Sequence, residues 1–344
     1  MSGCWQIWEN LEMGQFKDWT RLGKGILSFH LTGQQQEKAY QAMIGLFCRT
    51  GGWSNDVLSR AIRVMRPKAD LSLKETDANR SRDWAQELEE NGIVSLGKYL
   101  TPETCAEMEA WARSNPAAPK PERPDLPKNI CPNPEQPIAE GYYFSEQDLV
   151  GHPMVQRLMT DTKLLALAQN YLGCEPILSI VAMWWSCAGK FSGDAARALA
   201  QMYHFDMDRP RWLKVFFYVT DVNSSNGPHV FVRKTHRTGR FPRTLLAKGY
   251  TRLTDQEVSQ FFSDEDQMQI VGGRGSAFAE DTRGIHKGLI PEKGYRLVLQ
   301  LEFCNSLFGG QFQNQLKISE SALEPSVRET MRKYPGIYRR FTWA

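Results

Sequence analysis

The chain has 344 residues, 41% of them hydrophobic, and its ten tryptophans add to ample apolar material for a large core. The net charge is only +3, whereas a nucleic-acid-binding protein needs many basic residues clustered on one face. We therefore predict no nucleic-acid partner. No apolar run reaches the roughly 18 residues of a membrane span, and seven scattered cysteines indicate neither a disulfide framework nor a zinc site. We therefore expect a cytoplasmic protein without a membrane partner.

Residues 1–82 predict a helical N-terminal extension. Apolar residues recur at helical spacing over 34–47 and again over 57–65, where Pro67 follows. Residues 68–82 are polar and charged, which favours a linker. The extension is expected to cover one side of the main domain, and a homodimer contact through it is the alternative.

The main domain is predicted to span residues 83–310. A strand is expected at 92–96, and Thr101 followed by Pro102 is typical of the N-cap and first position of a helix. Eight of the eighteen prolines then fall within residues 116–137, too many for regular structure. A loop of this length is either disordered or functional, and a lid over a site is one such use.

Four further segments complete the chain. Residues 154–172 predict a single amphipathic helix that ends at Gly173. Residues 189–200 are interpreted as an insertion, and a helix is expected over 241–262. The tail, 311–344, is basic and aromatic and is predicted to pack on the core.

Alternating apolar and polar residues predict strands around 178–185, 211–219, 270–279 and 296–303. Strands in this order favour two packed antiparallel sheets with helices outside them. The predicted fold is mainly β with helical additions, built on a double-stranded β-helix of the jelly-roll, cupin-like type.

One pair of residues carries the chemistry of a metal site. His204 and Asp206 are two positions apart, so on a strand both side chains point to the same face. A second histidine from a distant strand would complete the two-histidine, one-carboxylate triad that binds non-haem Fe(II) and leaves positions open. His286 is the candidate for that histidine.

Arg296 opens the strand that follows His286. Its side chain shares one face with Val298, Gln300 and Glu302, while the intervening residues are apolar. A guanidinium can hold a carboxylate through two parallel N–H bonds, which an ammonium cannot do. The sequence therefore predicts a metal site with an anion-binding arginine beside it.

Other short segments occur in an order typical of one known family. Ser225-Asn-Gly-Pro228 followed by Val232-Arg-Lys-Thr-His236 is similar to an "ENGP … PGSH" motif, with Lys-Thr-His in place of Gly-Ser-His. Residues 91–104 are similar to the start of that family's domain, and His152-Pro153 precedes a helix that ends in Leu-Gly. Together with the two histidines, the aspartate and the arginine, the chain from about residue 84 to 310 resembles the phytanoyl-CoA dioxygenase family of Fe(II)/2-oxoglutarate oxygenases.

The resemblance implies an activity. His204, Asp206 and His286 would bind Fe(II), and Arg296 would bind the far carboxylate of 2-oxoglutarate. Phe216 and Tyr218 would contact the cosubstrate. With O2, such an enzyme releases succinate and CO2 and usually hydroxylates a C–H bond of a small molecule, and ascorbate is expected to stimulate it.

The resemblance also bears on the type of reaction and on the neighbouring residues. Asp206 favours hydroxylation over halogenation, because related halogenases have glycine or alanine there; desaturation, cyclisation and epimerisation stay open. His236 is expected near the site as a supporting group, and Asp208 and Asp281 could orient the ligands. Of Trp184 and Trp185, at most one can line the pocket, because adjacent strand residues face opposite ways.

Two other classes of function are compatible with the same residues. A cupin-like hydrolase or isomerase could use the triad to bind Zn(II), although Arg296 would then have no evident purpose. A non-catalytic binding protein could keep the fold, although no ligand position has been lost.

Overall fold

The computed structural model describes residues 2–122, 124–189, 202–310 and 315–343, with the side chains of residues 2–15 left out. Residues 190–200 of the predicted insertion at 189–200 lie outside the described residues. The division of the chain at residues 82 and 310 stays a prediction.

The N-terminal residues form four helices: α1 (Ser2–Thr32), α2 (Glu37–Thr50), α3 (Trp53–Met65) and α4 (Glu75–Asn91). The prediction of a linker over 68–82 is wrong from Glu75 onward. Helix α4 is polar on most of its surface, but Ser81, Ala85 and Leu88 recur at helical spacing and are buried. This narrow stripe is enough to pack α4 on the rest of the protein.

Seven strands form the large sheet: β1 (Ile93–Lys98), β2 (Ala118–Lys120), β3 (Gly141–Tyr143), β4 (Ile177–Cys187), β5 (Trp212–Tyr218), β8 (Ser276–Glu280) and β10 (Tyr295–Cys304). Their order is β1-β8-β5-β10-β4-β3-β2, and all pairs are antiparallel. Strand β10 lies at the centre, with Arg296 opposite Ser186 of β4, and Val298 opposite both Trp184 of β4 and Tyr218 of β5.

A second, three-stranded antiparallel sheet consists of β6 (His229–Val232), β7 (Gln267–Ile270) and β9 (His286–Gly288), in the order β7-β6-β9. An isolated antiparallel bridge between His204 and His286 extends it. Near the C-terminus, β11 (Leu316–Ile318) and β12 (Phe341–Trp343) form a parallel pair.

The strand predicted over 270–279 is two strands, β7 and β8, which belong to different sheets. Glycines at 272, 273 and 275 form the turn between them. Gly275 has φ +85, and a Cβ there would lie 2.3 Å from the Leu100 carbonyl oxygen, so only glycine fits.

The other α-helices in the part of the chain that the structure describes are α5 (Pro102–Ser114), α6 (Glu146–Val150), α7 (Pro153–Met159), α8 (Thr162–Leu172), α9 (Arg243–Leu246), α10 (Asp255–Ser259) and α11 (Pro325–Lys333). The caps predicted at Thr101 and Gly173 are confirmed: Thr101 accepts a hydrogen bond from the Thr104 amide, and Gly173 has φ 75.

Two helix predictions need correction. The helix over 154–172 is broken at Asp161, whose carboxylate caps α8 by accepting from the Lys163 amide. The helix over 241–262 is reduced to α9 and α10, because Gly249 adopts φ 82 between them and a Thr254–Glu257 capping box starts α10.

Three buried clusters define the layers of the fold. The largest packs helices α4–α8 and α11 on the outer face of the large sheet. A second contains Phe216 and Phe278 of the large sheet with Phe231 and Ile270 of the small one, so the two sheets face each other. The third packs α1 and α2 behind the small sheet. These layers agree with two packed antiparallel sheets, while the closed double-stranded β-helix stays a prediction.

Candidate metal centre

Backbone pairing brings the predicted triad together. The His204 amide donates to the His286 carbonyl at 2.9 Å, and the His286 amide donates back to His204 at 2.8 Å. The Asp206 amide donates to the Thr282 carbonyl at 2.7 Å. As a result, one ligand atom from each of His204, Asp206 and His286 lies within 4.8 Å of the others.

Both imidazoles are oriented by the backbone. His204 Nδ1 lies 3.2 Å from the Met202 carbonyl oxygen, and His286 Nδ1 lies 3.0 Å from that of Gly284. A proton on each Nδ1 donates to its carbonyl, which leaves a lone pair on each Nε2. Burial lowers the pKa of both rings, that of His204 to about 2, so both are neutral near pH 7.

The donor set fits a divalent transition metal. Asp206 Oδ1 lies 3.9 Å from His204 Nε2, and Asp206 Oδ2 lies 3.6 Å from His286 Nε2. Two neutral imidazoles and one carboxylate on one side of a cavity are the facial arrangement that suits Fe(II) and leaves positions open for other ligands.

Lys214 on β5 is a part of this site that the sequence analysis did not single out. Its Nζ lies 2.7 Å from Asp206 Oδ2, 3.0 Å from Asp208 Oδ2 and 3.7 Å from Glu302 Oε2. Burial raises the pKa of Asp206, but the Lys214 charge, the two imidazoles and the Lys214 hydrogen bond together outweigh burial and hold that pKa well below its usual range. The ammonium thus keeps Asp206 ionised and fixed in orientation.

Arg296 reaches the same cavity, whose volume is about 460 Å³. It is 6% exposed, and its guanidinium donates to the Gly227 carbonyl and lies 3.4 Å from Ser186 Oγ. Among the described residues, its buried Nε has no hydrogen-bond partner. An unpaired buried N–H is costly, and an anion in the cavity would satisfy it.

Phe216 and Tyr218 lie on the inner face of β5, as Arg296 does on β10. Phe216 lines the cavity and stacks on Phe278 with ring centroids 4.9 Å apart. The Tyr218 hydroxyl donates to the Ile270 carbonyl at 2.9 Å. Burial raises the Tyr218 pKa to about 12 against the opposing Arg296 charge, so Tyr218 stays a neutral donor.

His229 and Glu280 form a second pair at the cavity wall. His229 Nε2 lies 2.8 Å from Glu280 Oε2, and the His229 ring stacks on His286 at 5.4 Å. Burial raises the Glu280 pKa to about 8, while burial and then the Arg296 charge lower the His229 pKa to about 3. Near pH 7 the pair is therefore an uncharged acid beside a neutral imidazole.

The expected supporting groups have different positions. Asp208 contacts Lys214 rather than an imidazole, and Asp281 pairs with Arg283. His236 Nε2 lies 3.1 Å from the Glu89 carbonyl oxygen, and the described cavity lining does not include it. In this structure His236 joins β6 to the end of α4.

The mouth of the cavity is formed partly by the proline-rich segment. Lys120, Pro121 and Glu140 line it beside Tyr143, whose ring stacks on Trp184 at 5.7 Å with an interplanar angle of 6°. The Trp185 side chain is fully buried in the large cluster on the other face of the sheet. The two tryptophan side chains pack on opposite faces of the sheet, as the alternation predicts, although both residues border the cavity.

The described helices include none that is long and apolar enough to cross a membrane. No protein-family model matches the sequence, and neither does any curated protein.

Several solved structures are distantly similar. The 2-oxoglutarate-dependent epimerase SnoN from nogalamycin biosynthesis has 15% identity and a TM-score of 0.44 over 66% of this chain and 83% of its own. EctD from S. alaskensis has 14% identity and a TM-score of 0.47 over 69% and 82%. HygX from Streptomyces hygroscopicus, solved with nickel and 2-oxoglutarate, has 13% identity and a TM-score of 0.47 over 69% and 90%. At TM-scores under 0.5, these likenesses assign neither an activity nor a substrate to this chain.

Proposed function

We propose that this protein is an Fe(II)/2-oxoglutarate-dependent dioxygenase of the phytanoyl-CoA dioxygenase type. One observation carries the proposal: His204, Asp206 and His286 converge on a cavity that also contains a buried arginine with an unpaired N–H. A metal alone would need the triad. A metal with an anionic cosubstrate needs both features. A cupin-like hydrolase or isomerase would use the triad but leave the arginine unexplained.

The residues have separate tasks in this proposal. His204 Nε2, His286 Nε2 and Asp206 would bind Fe(II), and Lys214 would hold Asp206 through its second oxygen. Arg296 would bind the far carboxylate of 2-oxoglutarate, which would supply the hydrogen-bond acceptor that the Arg296 Nε lacks among the described residues. When bound, iron and 2-oxoglutarate supply the oxidation, using O2 and releasing succinate and CO2.

The cavity limits the substrate. About 460 Å³ must contain 2-oxoglutarate and the reacting part of the substrate, so a small molecule, or one end of a lipid-like or carrier-bound molecule, fits best. The stacked Tyr143 and Trp184 rings offer an apolar wall at the mouth. Because Asp206 keeps its carboxylate, hydroxylation of an unactivated C–H bond is the favoured outcome.

The decisive experiment needs no knowledge of the substrate. Purified protein with Fe(II), ascorbate, 2-oxoglutarate and O2 should release succinate slowly. His204→Ala, Asp206→Ala and His286→Ala should each abolish that release, because each removes one of three protein ligands. His30→Ala is the matched control, since His30 is exposed and lies on α1, outside the described cavity lining.

Anaerobic addition of 2-oxoglutarate to the Fe(II) protein should also give a visible charge-transfer band. If the band forms without succinate release, a substrate screen read by succinate follows. If no band forms and Zn(II) is the preferred metal, the oxygenase proposal fails and the hydrolase or isomerase reading replaces it. A protein that binds neither metal would favour a non-catalytic binding role.

A further inference from the structure

A second cavity of about 520 Å³ lies on the opposite side of the large sheet from the small one. Helices α3 and α4 form two of its walls, and residues at the end of α8 and before β5 form the rest. Its lining shares no residue with that of the metal cavity, as far as the described residues go.

Among the described residues, four arginines line this cavity together with two carboxylates, Asp56 and Glu89. Arg60 and Arg63 lie one turn apart on α3. Within the described part of the chain, neither is paired with a carboxylate at salt-bridge distance. Arg63 donates through Nε to the Leu172 carbonyl at 2.8 Å. The cavity therefore carries excess positive charge.

Arg211 forms the floor of the cavity and is 6% exposed. Its guanidinium carbon lies 4.4 Å above the Tyr171 ring, and one terminal nitrogen contacts Glu89. The Nε of Arg211 has no hydrogen-bond partner among the described residues. Arg211 is thus a buried guanidinium with one N–H that lacks an acceptor, and it lies beside Arg60 and Arg63, which have no described carboxylate partner. This arrangement is costly in free energy unless an anion binds there.

The rigidity of the floor argues for a built site rather than a solvated surface. The Tyr171 hydroxyl is hydrogen-bonded to Asp281, and Arg283 binds the same carboxylate with Nη2 at 2.6 Å. Both Tyr171 and Arg283 are buried, so the ring that supports Arg211 cannot turn away. Arg60 and Arg82 are exposed and lie at the rim of the cavity.

We propose that this cavity binds a small polyanion of the phosphate class, such as a diphosphate or a metabolite that carries one. Guanidinium forks match phosphate oxygens in paired N–H bonds, and two or more anionic groups are needed to span arginines on α3, α4 and the floor. The proposal does not depend on the metal site or on the proposed oxygenase activity.

Isothermal titration of the full-length protein with inorganic pyrophosphate, at low and constant ionic strength, tests this. The wild type should bind, and Arg60→Gln/Arg82→Gln should weaken binding at least tenfold. Both rim residues are exposed and neither pairs with a described carboxylate, so the double variant should fold normally, with an unchanged melting temperature.

Arg237→Gln/Arg240→Gln is the matched control, because it removes two exposed arginines that do not line the cavity. It should leave pyrophosphate affinity unchanged. The proposal is overturned if the wild type does not bind pyrophosphate, or if both double variants lose affinity equally, which would indicate attraction by net charge alone. Titration with a phosphate monoester and with ADP then separates free diphosphate from a phosphorylated metabolite.

Discussion

The Lys214 ammonium lies 2.7 Å from Asp206 Oδ2, and both side chains are largely buried beneath the candidate metal site. Asp208 and Glu302 also lie within 4 Å of this ammonium, and Glu302 lies 3.9 Å from Arg209 Nε as well. Burial lowers the pKa of Lys214, but the Asp206 charge and then the other carboxylates raise it well above its usual range, so Lys214 stays charged. Asp206, the carboxylate proposed to bind the metal, is thus held in place by the protein itself.

Lys214→Met should destabilise the metal-free protein by about 3–5 kcal/mol, because it leaves buried carboxylates without their cation. Urea unfolding in the presence of a chelator measures this. Lys214→Arg should lose less, since it keeps the charge. Mn(II) should restore more stability to Lys214→Met than it adds to the wild type. Equal stability of Lys214→Met and wild type would show that the four groups do not interact as described.

Arg296→Lys should bind iron normally but bind 2-oxoglutarate about 10- to 100-fold more weakly, because one ammonium cannot reproduce two charge-assisted N–H bonds. Anaerobic titration of the charge-transfer band measures the change. Arg274→Lys is the control, since Arg274 pairs with Glu109 outside the described cavity lining. An unchanged titration for Arg296→Lys would remove Arg296 from the cosubstrate site.

The geometry of the triad could be predicted because it depends on local rules. Two-residue alternation places His204 and Asp206 on one face, and the same rule places Arg296 beside Gln300. The intervening Phe205 points the other way and stacks on Phe47 of α2. The long-range step, pairing His204 with His286, came from the family resemblance and not from either segment alone.

Lys214 and Glu280 were missed although a signal for each was present. Lys214 is two residues before Phe216 and four before Tyr218, and Glu280 is two residues after Phe278. Each charged group therefore lies on the same inner face of a buried strand as these aromatic residues. A charge on such a face requires a partner. The helix break at Asp161 and the capping box at Thr254 also had sequence signals. The first was missed because the apolar spacing continues across Asp161, and the second because it lies within a long polar stretch.

The arginine cavity had no comparable signal. Arg60 lies on α3, Arg82 on α4 and Arg211 immediately before β5, so the three side chains are distant in sequence and meet only in the folded chain. Arg82 has the polar and charged neighbours of a solvated helix face, while Arg60 precedes Ala61 and Arg211 precedes Trp212. Convergence of this kind is set by tertiary packing, which no local period records.

Phe47 connects the N-terminal helices to the candidate metal site. Its ring stacks on Phe205 at 5.7 Å with an interplanar angle of 26°. Phe47→Ala should destabilise the fold by about 3–5 kcal/mol, because it leaves a cavity behind the segment that carries His204 and Asp206. It should also weaken Co(II) binding, since that segment is then less well fixed. Phe16→Ala, at a 74% exposed ring, should change neither. If Phe47→Ala is destabilised but binds Co(II) with normal affinity, the N-terminal helices do not help to position the proposed metal ligands.

His236 should make stability depend on pH. Burial lowers its pKa to about 4, against an ordinary histidine value of 6.5, although the Asp281 charge opposes the shift. Between pH 6.5 and 4 the unfolded chain therefore binds a proton at this position that the folded protein does not. The contribution of His236 to the free energy of unfolding is complete above pH 6.5. As the pH falls from 6.5 towards 4, that free energy decreases by about 1.4 kcal/mol per pH unit.

His236→Gln removes this titration while keeping a side-chain donor for the Glu89 carbonyl. Urea unfolding at several values between pH 4.5 and 7.5 should give a shallower pH slope for the variant than for the wild type. Because buried His204, His229 and His286 also titrate, the variant should retain part of the slope. Parallel curves for the two proteins would mean that His236 takes up a proton as readily folded as unfolded, and that it is not the buried link between β6 and α4.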